Sequence, residues 1–293
     1  MTYNITEKDN KLIIKGLKHF HPKHIFECGQ CFRWFLEDDG SYTTISNGKV
    51  LNILEDDDGF LVDLATREEW ENYWHHYFDL DRDYGKIKET LSHDPILKES
   101  IEFGYGMRLL NQDPYETTIS FIISANNGIP RIKSAVNAIA EDLGDYLMTY
   151  KGKDIYSFPK PEKLAGKTTD YIKEKYRVGF RSDRIREVSR RIVEGEFDME
   201  CIFDINHKDA QVMLTSLPGV GPKVSDCILL FAYDKSEAFP VDVWVKRVME
   251  HFYFKRNATK KELESSGVDL FGPLAGYAQQ YLFYYARELG IGK

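Results

Sequence analysis

Apolar and polar residues alternate in short runs over the first hundred positions. KLIIKGL (11–17) alternates in part, and FRWFLEDDGSYTTIS (32–46) reads as two strands around a DDG turn. KVLNILEDDDGFLVDL (49–64) repeats the device with a second acidic turn that ends in Gly. These runs predict an antiparallel sheet. The period then changes. In TREEWENYWHHYFDLDRDYGKIKETL (66–91), Trp70, Trp74 and Phe78 recur every four residues, the spacing of one helix face, and are expected in the core.

From about residue 95 the chain reads as successive helices. DPYETTISFIISANN (113–127) opens on an Asp-Pro start signal, and IPRIKSAVNAIAEDLG (129–144) ends at a Gly stop. SDRIREVSRRIVEG (182–195) is expected to start at a Ser/Asp cap. KDAQVMLTSL, KVSDCILLFAY, DVWVKRVMEHF and AGYAQQYLFYYARELG follow. The expected class is α+β: an antiparallel β domain with flanking helices over 1–105, then a mostly helical domain over 106–293, with the boundary near 100–110.

Composition removes some function classes. No run approaches the ~18 apolar residues of a membrane helix. The first residues show no basic-flanked apolar stretch, so an intracellular, cytoplasmic protein is expected. Cys28, Cys31, Cys201 and Cys227 suit a reducing compartment. Cys28 and Cys31 form a CxxC pair, but no second pair completes a zinc site and no four-cysteine cluster could hold iron and sulfur. No metal and no cofactor is expected, and nothing signals an oligomer, so a monomer is expected.

The net charge of −8 is unevenly spread. Residues 55–100 hold 14 Asp/Glu against 5 Lys/Arg, whereas 160–191 hold 11 Lys/Arg against 5 Asp/Glu. Affinity for nucleic acid follows the charge that faces phosphate, not the chain total. Alone, the basic stretch reads equally as a solvated helix face.

The most informative segment is LTSLPGVGPKVSDCILLFA (214–232). It reads helix, tight turn, helix. Gly219, Val220 and Gly221 form the turn, and glycine there permits positive φ or close backbone approach. Free amides at the start of the second helix hold a phosphate without a positive side chain. An ordinary helix–helix turn is the plainer reading. Lys223 follows two residues past Gly221, and Asp242 nineteen residues later in FPVDVW. As structural residues they would be a phosphate-contacting lysine and a helix N-cap.

This arrangement of hairpin, lysine, helix and Pro-Val-Asp resembles the helix-hairpin-helix glycosylase superfamily, in whose bifunctional members the lysine is the nucleophile and the aspartate is essential. Breaking a glycosidic bond develops positive charge at C1′, which Asp242 would stabilise and the Lys223 amine would capture. A protonated lysine cannot attack, and burial with a nearby helix N-terminus disfavours the ammonium.

Further segments resemble the eukaryotic-type 8-oxoguanine DNA glycosylases. CGQCFRW (28–34) is similar to a family SGQxFRW stretch, which implies that the Gly29 carbonyl accepts the N7–H of 8-oxoguanine. Normal guanine has a lone pair there. RLLNQDPYETTISFIISANNGIPRI (108–132) is similar to RLLRQDPxE…SxNNNIxRI, which implies that Asn126 fills the hole left by the flipped nucleotide and Arg131 contacts the opposite cytosine. It departs from that pattern at Gly128 and Pro130. VGFRSDRIREVS (178–189) resembles GYRARYVxxS, placing Phe180 as a wedge, with Phe for Tyr, and Arg181 as a second cytosine contact. FGPLAGYAQQYLFYYAREL (271–289) resembles GPYAGWAQxxLFxxxL, which implies that Gln279 bonds the lesion's Watson–Crick edge and Phe283 stacks on it. The same resemblance sets Cys227, one turn from Lys223, in the lesion pocket as half of an ammonium–thiolate dipole. Trp244 and Ala286 stand where the family has histidine and aspartate.

The resemblance implies a bifunctional glycosylase/AP lyase that excises 8-oxoguanine from duplex DNA, preferentially opposite cytosine, by base flipping and Schiff-base chemistry. Two other readings compete: a monofunctional alkylbase glycosylase of the same superfamily, which keeps the aspartate without the lysine, and a non-catalytic helix-hairpin-helix DNA-binding module.

Overall fold

The computed structural model describes residues 3–57 and 59–291. Met1 and Thr2, and Asp58 of the second acidic turn, lie outside the described residues. Six antiparallel strands form one sheet: β1 Asn4–Lys8, β2 Lys11–Lys15, β3 Trp34–Leu36, β4 Tyr42–Ser46, β5 Lys49–Asp56 and β6 Gly59–Asp63. Their order is β1-β2-β6-β5-β4-β3, so β6 folds back between β5 and β2. The register pairs Ile53 with Val62 and Ile14 with Phe60, putting alternate residues on one apolar face. That face packs on Phe20, Phe26, Trp70, Trp74 and Phe78. Both tryptophans and Phe78 are fully buried, as their spacing predicts. A capping box between Thr66 and Glu69 starts their helix, which continues through a wide turn at Trp70–Trp74.

The rest is mostly helical. Its centre is the helix Pro222–Ala232, in which every residue from Val224 to Ala232 is buried. Such an all-round buried helix must be wrapped on several sides. The helices Pro114–Ser124 and His207–Thr215 pack against it, and Ala275–Leu289 packs against Pro95–Phe103 and Val243–Val248. Asp113 caps Pro114–Ser124 through Glu116 N at 2.7 Å, so the Asp-Pro start signal is read correctly.

Two local expectations need correction. The stretch after Gly144 is not helical: β7 Tyr146–Tyr150 and β8 Lys153–Tyr156 form a separate hairpin. Lys151 and Gly152 both have positive φ, the requirement of a two-residue hairpin turn. The helix Ser182–Val193 has no Ser/Asp cap. Arg181 occupies the N-cap position without a side-chain bond, because the short 3-10 turn Gly179–Arg181 leads straight into the helix.

The segment RLLNQDP staples the sheet to the helices. Arg108 is fully buried, and its guanidinium donates to the carbonyls of Phe78, Asp79, His19 and Arg82 while lying 3.9 Å from the Tyr84 ring. A charge buried this deeply is tolerated because its donors are met. Its own carbonyl, with Leu110 N and the Gln112 side chain, grips Gln30 at 2.8–2.9 Å. That grip places the neighbouring Gly29.

Candidate active site

Lys223 lies at the second position of the helix Pro222–Ala232, and Asp242 caps the helix Val243–Val248. They come from separate elements yet line one cavity of about 580 Å³. Gly29, Asn126, Arg131 and Phe283 share the lining, with Phe32, Phe121 and Ile129 unforeseen from the sequence. The half-buried Lys223 places Nζ 5.4 Å from the centre of the Phe121 ring. Among the described residues no carboxylate forms an ion pair with it, and the Cys227 side chain lies within its reach. Asp242 Oδ1 accepts from Trp244 N at 2.9 Å and Val245 N at 2.8 Å. The capping reading of this residue is thus met by Oδ1, and Oδ2 takes no hydrogen bond from a described residue.

Gly29 has φ +86°, and a Cβ there would stand 3.0 Å from Arg287 Nη1 and 3.2 Å from Phe283 Cε1. Only glycine fits both the backbone and the space. The carbonyls around it are all occupied. That of Glu27 accepts from Arg287 Nη2, that of Cys28 from Gln280 Nε2 at 2.8 Å, and that of Gln30 from Gln112 Nε2 at 2.9 Å. The Gly29 carbonyl accepts from no described residue. The other acceptors of the loop are clamped, and this oxygen alone is left unclaimed beside the cavity.

Asn126 adopts the left-handed conformation (φ 53°) just past the helix Pro114–Ser124. It is exposed and lines both the main cavity and a second cavity of about 630 Å³, which Arg131, Tyr176 and Arg181 also line. It thus stands in the wall between two chambers. Asn127 secures that wall, donating to Ile123 O at 3.3 Å and accepting from Gly128 N at 3.1 Å. Phe180 protrudes beside the second chamber, 56% exposed. Arg181 is buried beneath it, with its donors on the carbonyls of Ala125, Asn126 and Val178. Arg181 therefore braces the Asn126 loop in the free protein, whereas Arg131 is exposed.

In the hairpin, Gly219 has φ +88°, and a Cβ would meet Arg184 Cδ at 2.6 Å. Gly221 caps the second helix with open space around it. The first-turn amides of that helix have no intrahelical acceptor. Val220 does not fit a phosphate role: its side chain is buried and its N–H donates to Leu217 O at 3.1 Å. It anchors the turn from within.

Known proteins share this architecture. Residues 12–118 match the model of the 8-oxoguanine DNA glycosylase N-terminal domain, and residues 119–273 match that of the HhH-GPD superfamily of base excision DNA repair proteins. The second match spans more than half of the chain. The chain belongs to the HhH-GPD superfamily. Among superfamily relatives, a probable N-glycosylase/DNA lyase of Methanothermobacter thermautotrophicus is 34% identical over 246 residues, covering 78% of this chain and 77% of that one. The N-glycosylase/DNA lyase of Saccharomyces cerevisiae is 28% identical, covering 91% and 83%. Clostridium acetobutylicum 8-oxoguanine glycosylase/lyase, solved with duplex DNA containing cytosine opposite 8-oxoguanine, superposes with a TM-score of 0.95 at 44% identity, covering 99% of this chain and all of that one.

The electrostatics of this HhH-GPD site are set by burial. Burial raises the Asp242 pKa above the usual carboxylate range, against the opposing pull of the Val245 amide and the Lys223 charge. Burial also pushes the Cys227 thiol up to about 11, although the nearby Lys223 pulls the other way. Cys227 and Gln279, each 4% exposed, are buried and are not part of the cavity lining. Gln279 Oε1 has no hydrogen-bond partner there. Phe283, one turn on, does line the cavity. The sequence reading missed Gln280, Gln112 and Arg287, which clamp the Gly29 loop across long separations.

Proposed function

We propose that this chain is a bifunctional DNA glycosylase/AP lyase that excises 8-oxoguanine from duplex DNA, preferentially opposite cytosine. One observation carries the reading: Lys223, Asp242 and the unclaimed Gly29 carbonyl converge on a single cavity. The flipped base enters that cavity and stacks on Phe283. Its N7–H donates to the Gly29 carbonyl, which a normal guanine cannot do. Gln279 serves its Watson–Crick edge, and Cys227 lies against it from beneath. Asn126 fills the vacated stack, because unstacking a base costs a few kcal/mol that a plug recovers in part. Arg131 reads the opposite cytosine, Phe180 wedges beside it, and Arg181 supports both through the Asn126 loop. The hairpin amides around Gly219 and Gly221 hold a backbone phosphate.

The Lys223 amine gives up a proton and attacks C1′ as the C1′–N9 bond breaks. The bonding electron pair leaves with the base, which takes up a proton. Asp242 Oδ2 faces the positive charge that builds on the sugar. The resulting aminal opens to a Schiff base. Loss of a C2′ proton then expels the 3′ phosphate by β-elimination. No cofactor takes part in these steps. One chain supplies every residue named, so the enzyme acts as a monomer, in the cytoplasm on the nucleoid. Among the described residues no helix is long and apolar enough to cross a membrane.

The test is single-turnover excision from duplexes carrying 8-oxoguanine opposite C, A, G and T. Release is expected to be fastest opposite C. Release of an alkylated base with 8-oxoguanine left intact would assign the chain to another branch.

A further inference from the structure

Behind the pocket wall formed by Gly29 and Phe283 lies one charged donor that none of the steps above uses. Arg287 follows Phe283 by one helical turn and sets its guanidinium 5.3 Å from that ring. Nε and Nη2 bond Glu288 at 2.9 and 2.7 Å, and Nη2 also donates to the Glu27 carbonyl. Nη1 is buried and has no partner. An unmet buried donor on a charged group is costly, and such a group is kept where a ligand completes it. Nη1 lies against Gly29, 3.0 Å from where a Cβ would stand, beside the one carbonyl of that loop left unclaimed. The Arg287 charge also reaches Asp242. Ala286 is fully buried and brings no carboxylate that could occupy the guanidinium.

Gly29 thus carries an unclaimed acceptor, and an unmet donor lies against the same residue. 8-Oxoguanine presents the complement: an N7–H donor flanked by carbonyl oxygens at C6 and C8. Guanine presents a bare N7 acceptor beside O6. We propose that Arg287 is a specificity-determining residue whose Nη1 donates to a carbonyl oxygen flanking N7 of the flipped base while Gly29 accepts the N7–H. This deepens the proposed function and rests on it.

Binding by Lys223→Gln protein, which cannot turn over, separates the possibilities, with Arg287→Met filling the same space without donors. The duplexes carry 8-oxoguanine, 8-oxoadenine or a tetrahydrofuran abasic analogue opposite C. Removing Arg287 is expected to weaken 8-oxoguanine binding by about tenfold or more. Binding of the abasic duplex, which has no base to read, should stay within about twofold. 8-Oxoadenine keeps O8 and replaces O6 with an amino group. An equal loss on it assigns O8 as the contact; no loss would assign O6, which guanine shares, and would overturn the specificity role. Equal weakening of the abasic duplex would reduce Arg287 to a brace for Phe283 and overturn the proposal, as would no change on 8-oxoguanine. If Arg287→Met fails to fold, Arg287→Lys carries the same comparison, since it keeps the charge without the planar fork. Failure of the wild-type chain to excise 8-oxoguanine would instead refute the underlying function.

Discussion

Asp242 serves the fold through one oxygen and, on the proposed function, leaves the other for chemistry. Oδ1 caps a helix through two amides, and burial raises the pKa of the carboxyl. A raised folded-state pKa means that the stabilising contribution is complete below the unfolded value and lost as pH rises through the folded one. At neutral pH the ionised carboxylate is thus a cost to the fold. Asp242→Asn keeps an Oδ1 acceptor for the cap and removes the cost. Its Tm at pH 7 is expected to equal or exceed that of the wild type, while single-turnover excision falls by about 100-fold or more. A drop in Tm comparable to loss of a helix cap would show that Asp242 matters chiefly as a cap. The wild-type excision rate should also fall as pH is lowered through this raised pKa, because protonation removes the charge that faces C1′.

Among the elements, the hairpin separates two uses of glycine. Gly219 has positive φ with Arg184 against it, whereas Gly221 is open. Gly219→Ala is expected to lower Tm and weaken DNA binding together, since left-handed backbone costs a side chain about 1–2 kcal/mol. Gly221→Ala should leave Tm unchanged and weaken binding alone, because its methyl would occupy the phosphate approach. Thermal melts and duplex affinities on the two variants decide this; equal melts for both would contradict the geometry. Local signals of this kind were legible in the sequence: the hairpin, the Asp-Pro start and the Trp70–Trp74–Phe78 stripe are all short-range patterns. The β7–β8 hairpin carried a signal too, a Lys-Gly turn between alternating residues, but lay within a run of helices and was read past. The clamps on the Gly29 loop were not legible, because Gln112 and Gln280 reach it across 82 and 252 residues. Arg181 was expected as a second contact to the opposite cytosine, and only the packed loop shows its donors turned inward.

Across the whole molecule, charge is sorted more finely than residue counts suggest. Three residues of the basic stretch are neutralised internally: Arg190 pairs with Glu187, Glu194 and Glu196, Arg191 with Glu187, and Lys175 with Asp142. The side chains of Arg184 and Arg191 lie against the hairpin, Arg191 through Ser216 O at 3.1 Å. The chain of net charge −8 is therefore expected to bind undamaged duplex with a steep salt dependence set by these local groups. A log–log slope steeper than about −3 is predicted, corresponding to three or four neutralised phosphates. A flat dependence would place the DNA elsewhere. The central claim is that the Lys223 amine becomes covalently joined to the sugar. Borohydride reduction during turnover of an 8-oxoguanine:C duplex, followed by mass mapping of the adduct, tests it most directly. The account predicts one protein–DNA adduct, located on Lys223 and absent in Lys223→Gln; excision with no adduct, or an adduct on another residue, would contradict it.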